Sequence, residues 1–283
     1  MNILAFESSC DETAAAVVRD GRTVLSDAIA SQADMHALYG GVVPEIASRK
    51  HVEAIAGLAD AALAEAGLRK ADVDAVAVTY GPGLIGALLV GVNFAKSVAY
   101  GLGVPLIPVH HVRGHISANY IAHPELEPPF VCLCVSGGTT LIVDVRDYTE
   151  MAVLGATRDD AAGECFDKVA RVLGIGYPGG APMDRLSRTG DAGRYAFPRV
   201  MEAALRCGRR KVAVAGGVAA NSHIRADLEA ACAAAGCCLY LPPLSLCGDN
   251  GAMIGCQAYY EYLAGHTADM ALNAYANRDI AKG

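Results

Sequence analysis

An α/β fold built from two similar lobes is what this sequence predicts, on three observations. Short apolar runs of strand length alternate with longer helical stretches along the chain, which is the order of elements in α/β proteins. A strand–turn–strand pattern occurs twice, about 130 residues apart, and points to a duplicated unit. At roughly 150 residues per domain, 283 residues are enough for two lobes.

The first strand–turn–strand unit is Asn2 to Phe6, a polar turn from Glu7 to Thr13, then Ala14 to Val18. The second is Val131 to Val135, the turn Ser136-Gly137-Gly138-Thr139-Thr140, then Leu141 to Val145. Between them, His51 to Ala66 has helical periodicity. Val73 to Thr79 reads as a strand, and Gly81-Pro82-Gly83 turns the chain into a second helix. Leu106 to Val109 is a strand ending at a histidine-rich segment, and Pro124, Pro128 and Pro129 mark a lobe junction. The second half reads as helices at Gly163 to Leu173, Met183 to Arg188, Val200 to Cys207, Ile224 to Ala235 and Asn250 to Ala264. Its remaining strands are Val212 to Ala215 and Cys238 to Leu241.

Composition narrows the function classes. With 53% hydrophobic and 19% charged residues the chain is not disordered. Its longest apolar stretch, Leu84 to Ala95, contains glycines and Asn93 and falls short of the ~20 residues of a membrane span. The start lacks a basic flank and meets an acid at Glu7, so no secretory signal is expected and the cytoplasm is the expected compartment. Ten cysteines include no C-x-x-C pair, which argues against a zinc ribbon or a disulfide framework. A net charge of −7 weighs against general nucleic-acid binding. An RNA contact would need a local patch such as Arg206, Arg209, Arg210 and Lys211, or a partner's surface.

Three groups of residues carry chemistry. In His111-Val112-Arg113-Gly114-His115 the histidines are four apart, so a helix would put both on one face within reach of one ion. Val112 stands where a zinc protease needs glutamate, which excludes that reaction. Two surface histidines on a helix fit the same spacing. Asp249 in Gly248-Asp249-Asn250-Gly251 is the candidate third ligand, and it fits an ordinary helix N-cap equally well. The second group is the glycine turns at Gly137-Gly138, Gly179-Gly180 and Gly216-Gly217, which suit close approach to phosphate without matching a Rossmann or P-loop spacing. The third is Asp11 and Glu12, carboxylates at a hairpin tip between apolar strands; Cys10 beside them lacks a base.

Together these segments resemble the TsaD (Gcp, YgjD) family of tRNA threonylcarbamoyladenosine transferases. The resemblance rests on Glu7-Ser8-Ser9-Cys10-Asp11-Glu12-Thr13, Tyr39 to Arg49, Gly81-Pro82-Gly83-Leu84, Val109 to His115, and Val135-Ser136-Gly137-Gly138. It continues through Asp159 to Glu164, Phe166-Asp167-Lys168, Tyr177-Pro178-Gly179-Gly180, Ala215 to Val218 with Asn221, and Asp249 to Met253. It implies a two-lobed actin-like ATPase (ASKHA) fold, each lobe a mixed β-sheet flanked by helices, with a ligand cleft between. Residues 1–128 would form the first lobe and 129–261 the second, with the tail 262–283 packing back on the first. The implied reaction moves threonylcarbamoyl from threonylcarbamoyl-AMP to N6 of the adenine beside the anticodon, in tRNAs reading codons that begin with A.

The resemblance also implies roles. His111, His115 and Asp249 would hold one divalent ion, iron or zinc. Cys134, Val135, Ser136, Gly137 and Gly138 would contact phosphate. Asp167, Gly180, Asp184 and Asn221 would bind the nucleoside of the acyl-adenylate or of ATP or ADP. Asp11 and Glu12 would position the adenine amine or take its proton. The implied partners are tRNA, a TsaB-like paralogue and a TsaE-like ATPase, with no membrane. The chain departs from the family at Thr139, usually histidine, and at Gly248, usually threonine. It departs again between Phe197-Pro198-Arg199 and Ala215, where only Val200 to Lys211 replaces a longer segment containing Phe-Ser-Phe-Ser-Gly-Leu-Lys. A second reading is therefore a shortened, non-catalytic paralogue that binds nucleotide and a partner protein.

Overall fold

Among residues 1–190 and 200–282, which the computed structural model describes, ten strands form two five-stranded sheets. The Phe197-Pro198-Arg199 motif lies outside the described residues. In the first sheet β1 (Asn2–Glu7), β2 (Glu12–Arg19) and β3 (Thr23–Ser31) form an antiparallel meander. Strands β4 (Ala75–Gly81) and β5 (Leu106–His110) extend it in parallel from β1, giving the order β3-β2-β1-β4-β5. The second sheet repeats that order as β8-β7-β6-β9-β10. Its strands are β6 (Phe130–Val135), β7 (Thr140–Val145), β8 (Met151–Ala156), β9 (Lys211–Ala215) and β10 (Cys238–Tyr240).

The duplication is thus one of whole sheets, and each hairpin gains a third strand, β3 or β8, that the sequence pattern did not assign. The reason is physical. Strand β3 fully buries only Ser26 and β8 only Met151, so neither shows the period-two alternation of a strand with one buried face.

Helices α1 (Ala33–Ala37), α2 (Pro44–Glu65) and α3 (Ile85–Leu102) belong to the first lobe. Helix α2 begins well before the expected His51 because Pro44 serves as its first residue, where a missing N–H costs nothing. Its buried residues Ala47, His51, Ile55, Ala59, Ala62 and Leu63 follow a three-to-four spacing. Helix α3 is long and apolar enough to cross a membrane by length and composition. Here it is a core helix, with Leu88, Val92, Ala95 and Ala99 buried in the cluster that includes Val76 and Val78 of β4. Helix α4 (His111–Ala122) follows β5, and its residues from Val112 to Tyr120 are all buried. Helices α5 (Ala162–Val172), α6 (Gly180–Ser187), α7 (Val200–Arg206) and α8 (Ser222–Ala235) belong to the second lobe.

The last helix, α9 (Gly251–Leu263), lies against β1 and β2 on one side and against α4 on the other. Small residues make that possible. A methyl group at Gly251 would fall 2.8 Å from the Ala16 backbone nitrogen, and one at Gly255 would fall 2.6 Å from a Val18 methyl. Beyond α9 the chain returns along the first sheet, where Ala268 N–H donates to Leu106 O at 2.8 Å and Tyr275 N–H to Tyr80 O at 2.9 Å. It ends with Ile280 buried in the second lobe's core.

Gly251→Ala should force α9 off β2 and cost about 1–3 kcal/mol, the usual penalty for overpacking. Urea unfolding monitored by far-UV circular dichroism measures this, and an unchanged midpoint would show that the contact is soft.

Candidate active site

Strand ends deliver the first part of the site. Glu7 closes β1 and is fully buried, His111 follows β5 as the first residue of α4, and Asp249 precedes α9. The N-cap of α9 is Asn250, whose side-chain oxygen accepts from Met253 N–H at 2.8 Å. Capping therefore does not occupy Asp249, and its carboxylate faces the histidines. Asp249 Oδ1 lies 3.2 Å from His115 Nε2 and 3.6 Å from His111 Nε2. One ligand atom from each of the three residues fits within a span of 4.8 Å. The surface-histidine alternative fails, because the His111 and His115 side chains are only 12% and 3% exposed.

The donor set fits a divalent cation. Both ring nitrogens of buried His115 lack a hydrogen-bond partner, the 3.2 Å approach to Asp249 being badly aligned for one. His111 turns Nε2 towards the shared space while Nδ1 lies 3.1 Å from Glu7 Oε2 and 3.1 Å from Ser9 Oγ. A metal-ligating histidine commonly has its second nitrogen held by a carboxylate in this way. Glu7 is itself fixed by Thr79 Oγ1 and Ser9 N–H, which both donate to it. Sequence reasoning quoted Glu7 only as part of a motif. The available signal was an acid directly after the apolar run Ile3 to Phe6, a position too buried for an unpaired charge.

The charges reinforce one another. Burial alone would lower the His111 pKa, but the Asp249 and Glu7 carboxylates outweigh it and raise it from 6.5 to about 9. Burial would raise Asp249, yet the two histidines hold it at about 2. Glu7 is likewise lowered against its own burial, by His111. Glu12 moves the other way, to about 8, first through burial and then through the negative charges of Asp249 and Asp11. The Cys10 thiol is pushed far up by burial and by Asp11, which leaves it no thiolate character.

A second cavity, of about 590 Å³, opens in the second lobe and is walled by Gly137, Asp167, Gly180, Asp184 and Asn221 among others. Five of the nine expected nucleotide contacts thus share one space. Asp184 accepts from Ser222 N–H at 2.7 Å and from its hydroxyl, and Asp167 accepts from Gly179 N–H at 2.7 Å. Asn221 caps α8 through its side-chain oxygen. Ser136 contributes its backbone, its carbonyl accepting from Gly163 N–H at 3.1 Å. Only glycine fits at position 163, since a methyl group there would lie 2.7 Å from Ser136 O. The rest of the expected phosphate turn lies outside this cavity's lining. Cys134 and Val135 are β6 residues with side chains in the core, and Gly138 lines a neighbouring crevice with Thr139. Burial first, and then the charges of Asp11 and Asp167, raise the Tyr177 phenol to about 12.

Most of the basic patch is tied to the fold, while Arg206 is an exposed residue of α7. Arg209 pairs with Asp144 at 2.8 Å, Arg210 donates to Ala235 O at 3.1 Å, and Lys211 donates to Glu127 O.

A tRNA N6-adenosine threonylcarbamoyltransferase of Clostridium botulinum (strain 657) is 46% identical over 335 aligned positions, covering 100% of this chain and 98% of its own length. One of Clostridium novyi is 48% identical over 336 positions with the same coverage. The family model for TsaD, tRNA N6-adenosine threonylcarbamoyltransferase, matches residues 23–208 and 200–256. The chain belongs to the TsaD family. Because 335 alignment positions take in all 283 residues, about 52 positions of the Clostridium botulinum TsaD have no counterpart here. The two stretches matched by the TsaD model meet at 200–208, where the shortened segment was read. Solved structures agree on the ASKHA fold. A hexokinase of Thermus thermophilus superposes with TM-score 0.51 at 17% identity, over 94% of this chain and 100% of its own. A HypF in phosphate- and nucleotide-bound form gives 0.61 at 14% identity, over 93% of this chain and 46% of its own.

His111 stabilises the metal-free fold only while protonated. Its folded pKa of about 9 lies above the ordinary 6.5, so that contribution is complete below pH 6.5 and is lost as pH rises through 9. The urea midpoint of chelator-treated protein should fall between pH 7 and 9, and His111→Gln should flatten the fall. An equal slope in both would remove His111 as its source.

Proposed function

We propose that the cleft carries threonylcarbamoyl from threonylcarbamoyl-AMP to N6 of the adenine beside the anticodon in tRNAs reading codons that begin with A. Membership of the TsaD family makes the chain a tRNA N6-adenosine threonylcarbamoyltransferase. The observation that carries the reading is the convergence of His111, His115 and Asp249, three residues from two distant segments, beside the acidic pair Asp11 and Glu12. Adenosine would occupy the cavity walled by Asp167, Gly180, Asp184 and Asn221, with the phosphate at its Gly137 end. That orientation sends the acyl group towards the first lobe's carboxylates.

His111, His115 and Asp249 would hold one divalent ion, iron or zinc. When bound, it supplies Lewis-acid polarisation of a carbonyl oxygen. The protein's own groups do the rest. Glu7 and Ser9 fix the His111 ring, and Asp11 steers the incoming adenine. The N6 amine forms a bond to the carbamoyl carbon while the carbon–oxygen bond to phosphate breaks, releasing AMP. Glu12 takes the amine proton, and a carboxyl pKa of about 8 suits a base working near neutral pH.

The reading places the chain in the cytoplasm with tRNA, a TsaB-like paralogue and a TsaE-like ATPase. With Arg209 paired to Asp144 and a net charge of −7, a partner's surface is the natural source of further phosphate contacts. The shortened non-catalytic paralogue is not favoured, since the metal-type cluster and the cavity walls are intact.

Purified chain, threonylcarbamoyl-AMP, tRNA and the two partner proteins should yield threonylcarbamoyladenosine by nucleoside mass spectrometry. His111→Ala should abolish product, and Glu12→Gln should lower kcat about 10²–10⁴-fold, the usual worth of a general base. No product beside an active full-length TsaD control would establish the non-catalytic reading.

A further inference from the structure

We propose that the C-terminal strap, residues 274–282, is a positioning device for the histidine pair of α4, holding the first turn of that helix in the geometry a metal ion requires. The assignment rests on the metal reading above and goes beyond it.

His111 is the first residue of α4. A helix's first turn has no intrahelical partners for its N–H groups and is where helices fray. A ligand placed there needs outside support, and two neighbours of His111 receive it from the strap. His110, immediately before it, uses both ring nitrogens: Nδ1 accepts from Val112 N–H at 3.2 Å, and Nε2–H donates to Arg278 O at 3.0 Å. Arg113, two residues after it, donates from Nε to Ile280 O at 3.0 Å and from Nη1 to Glu261 of α9 at 2.9 Å. One arginine therefore ties α4 to the strap and to the helix that follows Asp249.

The strap is firmly held and can act as a fixed reference. Tyr275 N–H donates to Tyr80 O at 2.9 Å, and a methyl group at Gly81 would fall 2.5 Å from Tyr275 O. Arg278 donates from Nε to Tyr80 Oη at 3.1 Å, with its guanidinium carbon 5.5 Å from the Tyr80 ring centre and 5.3 Å from that of Tyr275. At the far end Ile280, 3% exposed, sits in the second lobe's core with Phe130 and Met151. A second route reaches the same imidazole. Gly83 N–H donates to Ala276 O at 3.2 Å, and Leu84 N–H donates at 2.8 Å to the carbonyl of Ser9, whose hydroxyl meets His111 Nδ1. The strap thus touches both lobes and reaches His111 from the helix side and from the Ser9 side.

Two variants of the full chain separate positioning from folding. One ends at Ala276 and removes the Arg278 and Ile280 carbonyls. The other, His110→Asn, keeps a side chain that caps Val112 N–H but is too short to reach Arg278 O. The probe is cobalt(II), with affinity read by competition against a chromophoric chelator and ligand geometry by the visible absorption of the bound ion. Both variants should bind cobalt about tenfold or more weakly, the usual cost of losing a group that orients a metal ligand, and with an altered spectrum. His110→Asn should keep the parent's urea midpoint, and it alone decides if the truncated chain does not fold. Cobalt affinity and spectrum unchanged from the parent would overturn the strap assignment while leaving the metal reading standing. Cobalt binding no tighter in the parent than in His111→Ala would overturn the metal reading, and this inference with it.

Discussion

Helices α4 and α9 cross between the two sheets at a separation set by residues with almost no side chain. A methyl group at Gly114 would fall 2.7 Å from the Ile254 Cδ1 atom, while Gly251 and Gly255 already sit against Ala16 and Val18. The consequence reaches past packing. His111 and His115 ride on one helix and Asp249 precedes the other, so the crossing distance is also the distance between ligands. Close-packed interiors do not stretch to absorb an added methylene. Gly114 at the crossing, and Gly251 and Gly255 where α9 meets β2, therefore fix the spacing of the candidate site.

The crossing also concentrates charge. Glu7, Asp249 and Glu12 crowd the space around His111, and burial makes an isolated carboxylate there expensive. The surroundings resolve this unevenly. Glu7 and Asp249 stay ionised because they face the histidines, while Glu12, with carboxylates beside it and only Ser31 Oγ donating, is held up near neutrality. Neighbouring carboxyl groups thus take different states from environment alone, the pattern that separates an acid–base group from electrostatic ones. A proton on His111 answers the acidic wall, and a cation bound at the proposed site would compete with it.

Much of this was legible in the sequence, and what was not has identifiable causes. The four-residue spacing of His111 and His115 marks a shared helix face, and that face is where both point. The repeated strand–turn–strand units announced the duplication, though not its full extent, because β3 and β8 lack alternation. Asp249 fits both ligand and cap in the sequence, and the bond that Asn250 Oδ1 accepts from Met253 N–H removes the cap alternative. Glu7 escaped because an acid at a strand end looks like turn polarity until the strand is known to be buried on both faces. Cys134 and Val135, motif neighbours of the Ser136–Gly138 turn, end β6 with their side chains buried on its two covered faces, which leaves their backbone groups as the ones that would meet a phosphate. Motif membership names a segment; the fold decides which of its atoms face the ligand.

The same distinction bears on the shortened second lobe. The positions missing relative to TsaD proteins fall near 200–208, between α6 and β9. There α7 packs on the sheet beside α8, placing Met201 and Ala204 with Val131 of β6, Val212 of β9 and Cys232 of α8. Nothing in the metal-type cluster comes from this region. The nucleotide cavity takes its walls from the Gly137 turn, α5, α6 and the stretch from Gly217 to Asn221. Among the described residues the stretch 200–208 contributes neither candidate ligands nor cavity walls, so the proposed chemistry does not draw on it. The flanks of the cleft are where a tRNA or a partner protein would rest, so the shortening bears on how the substrate is presented rather than on how it reacts.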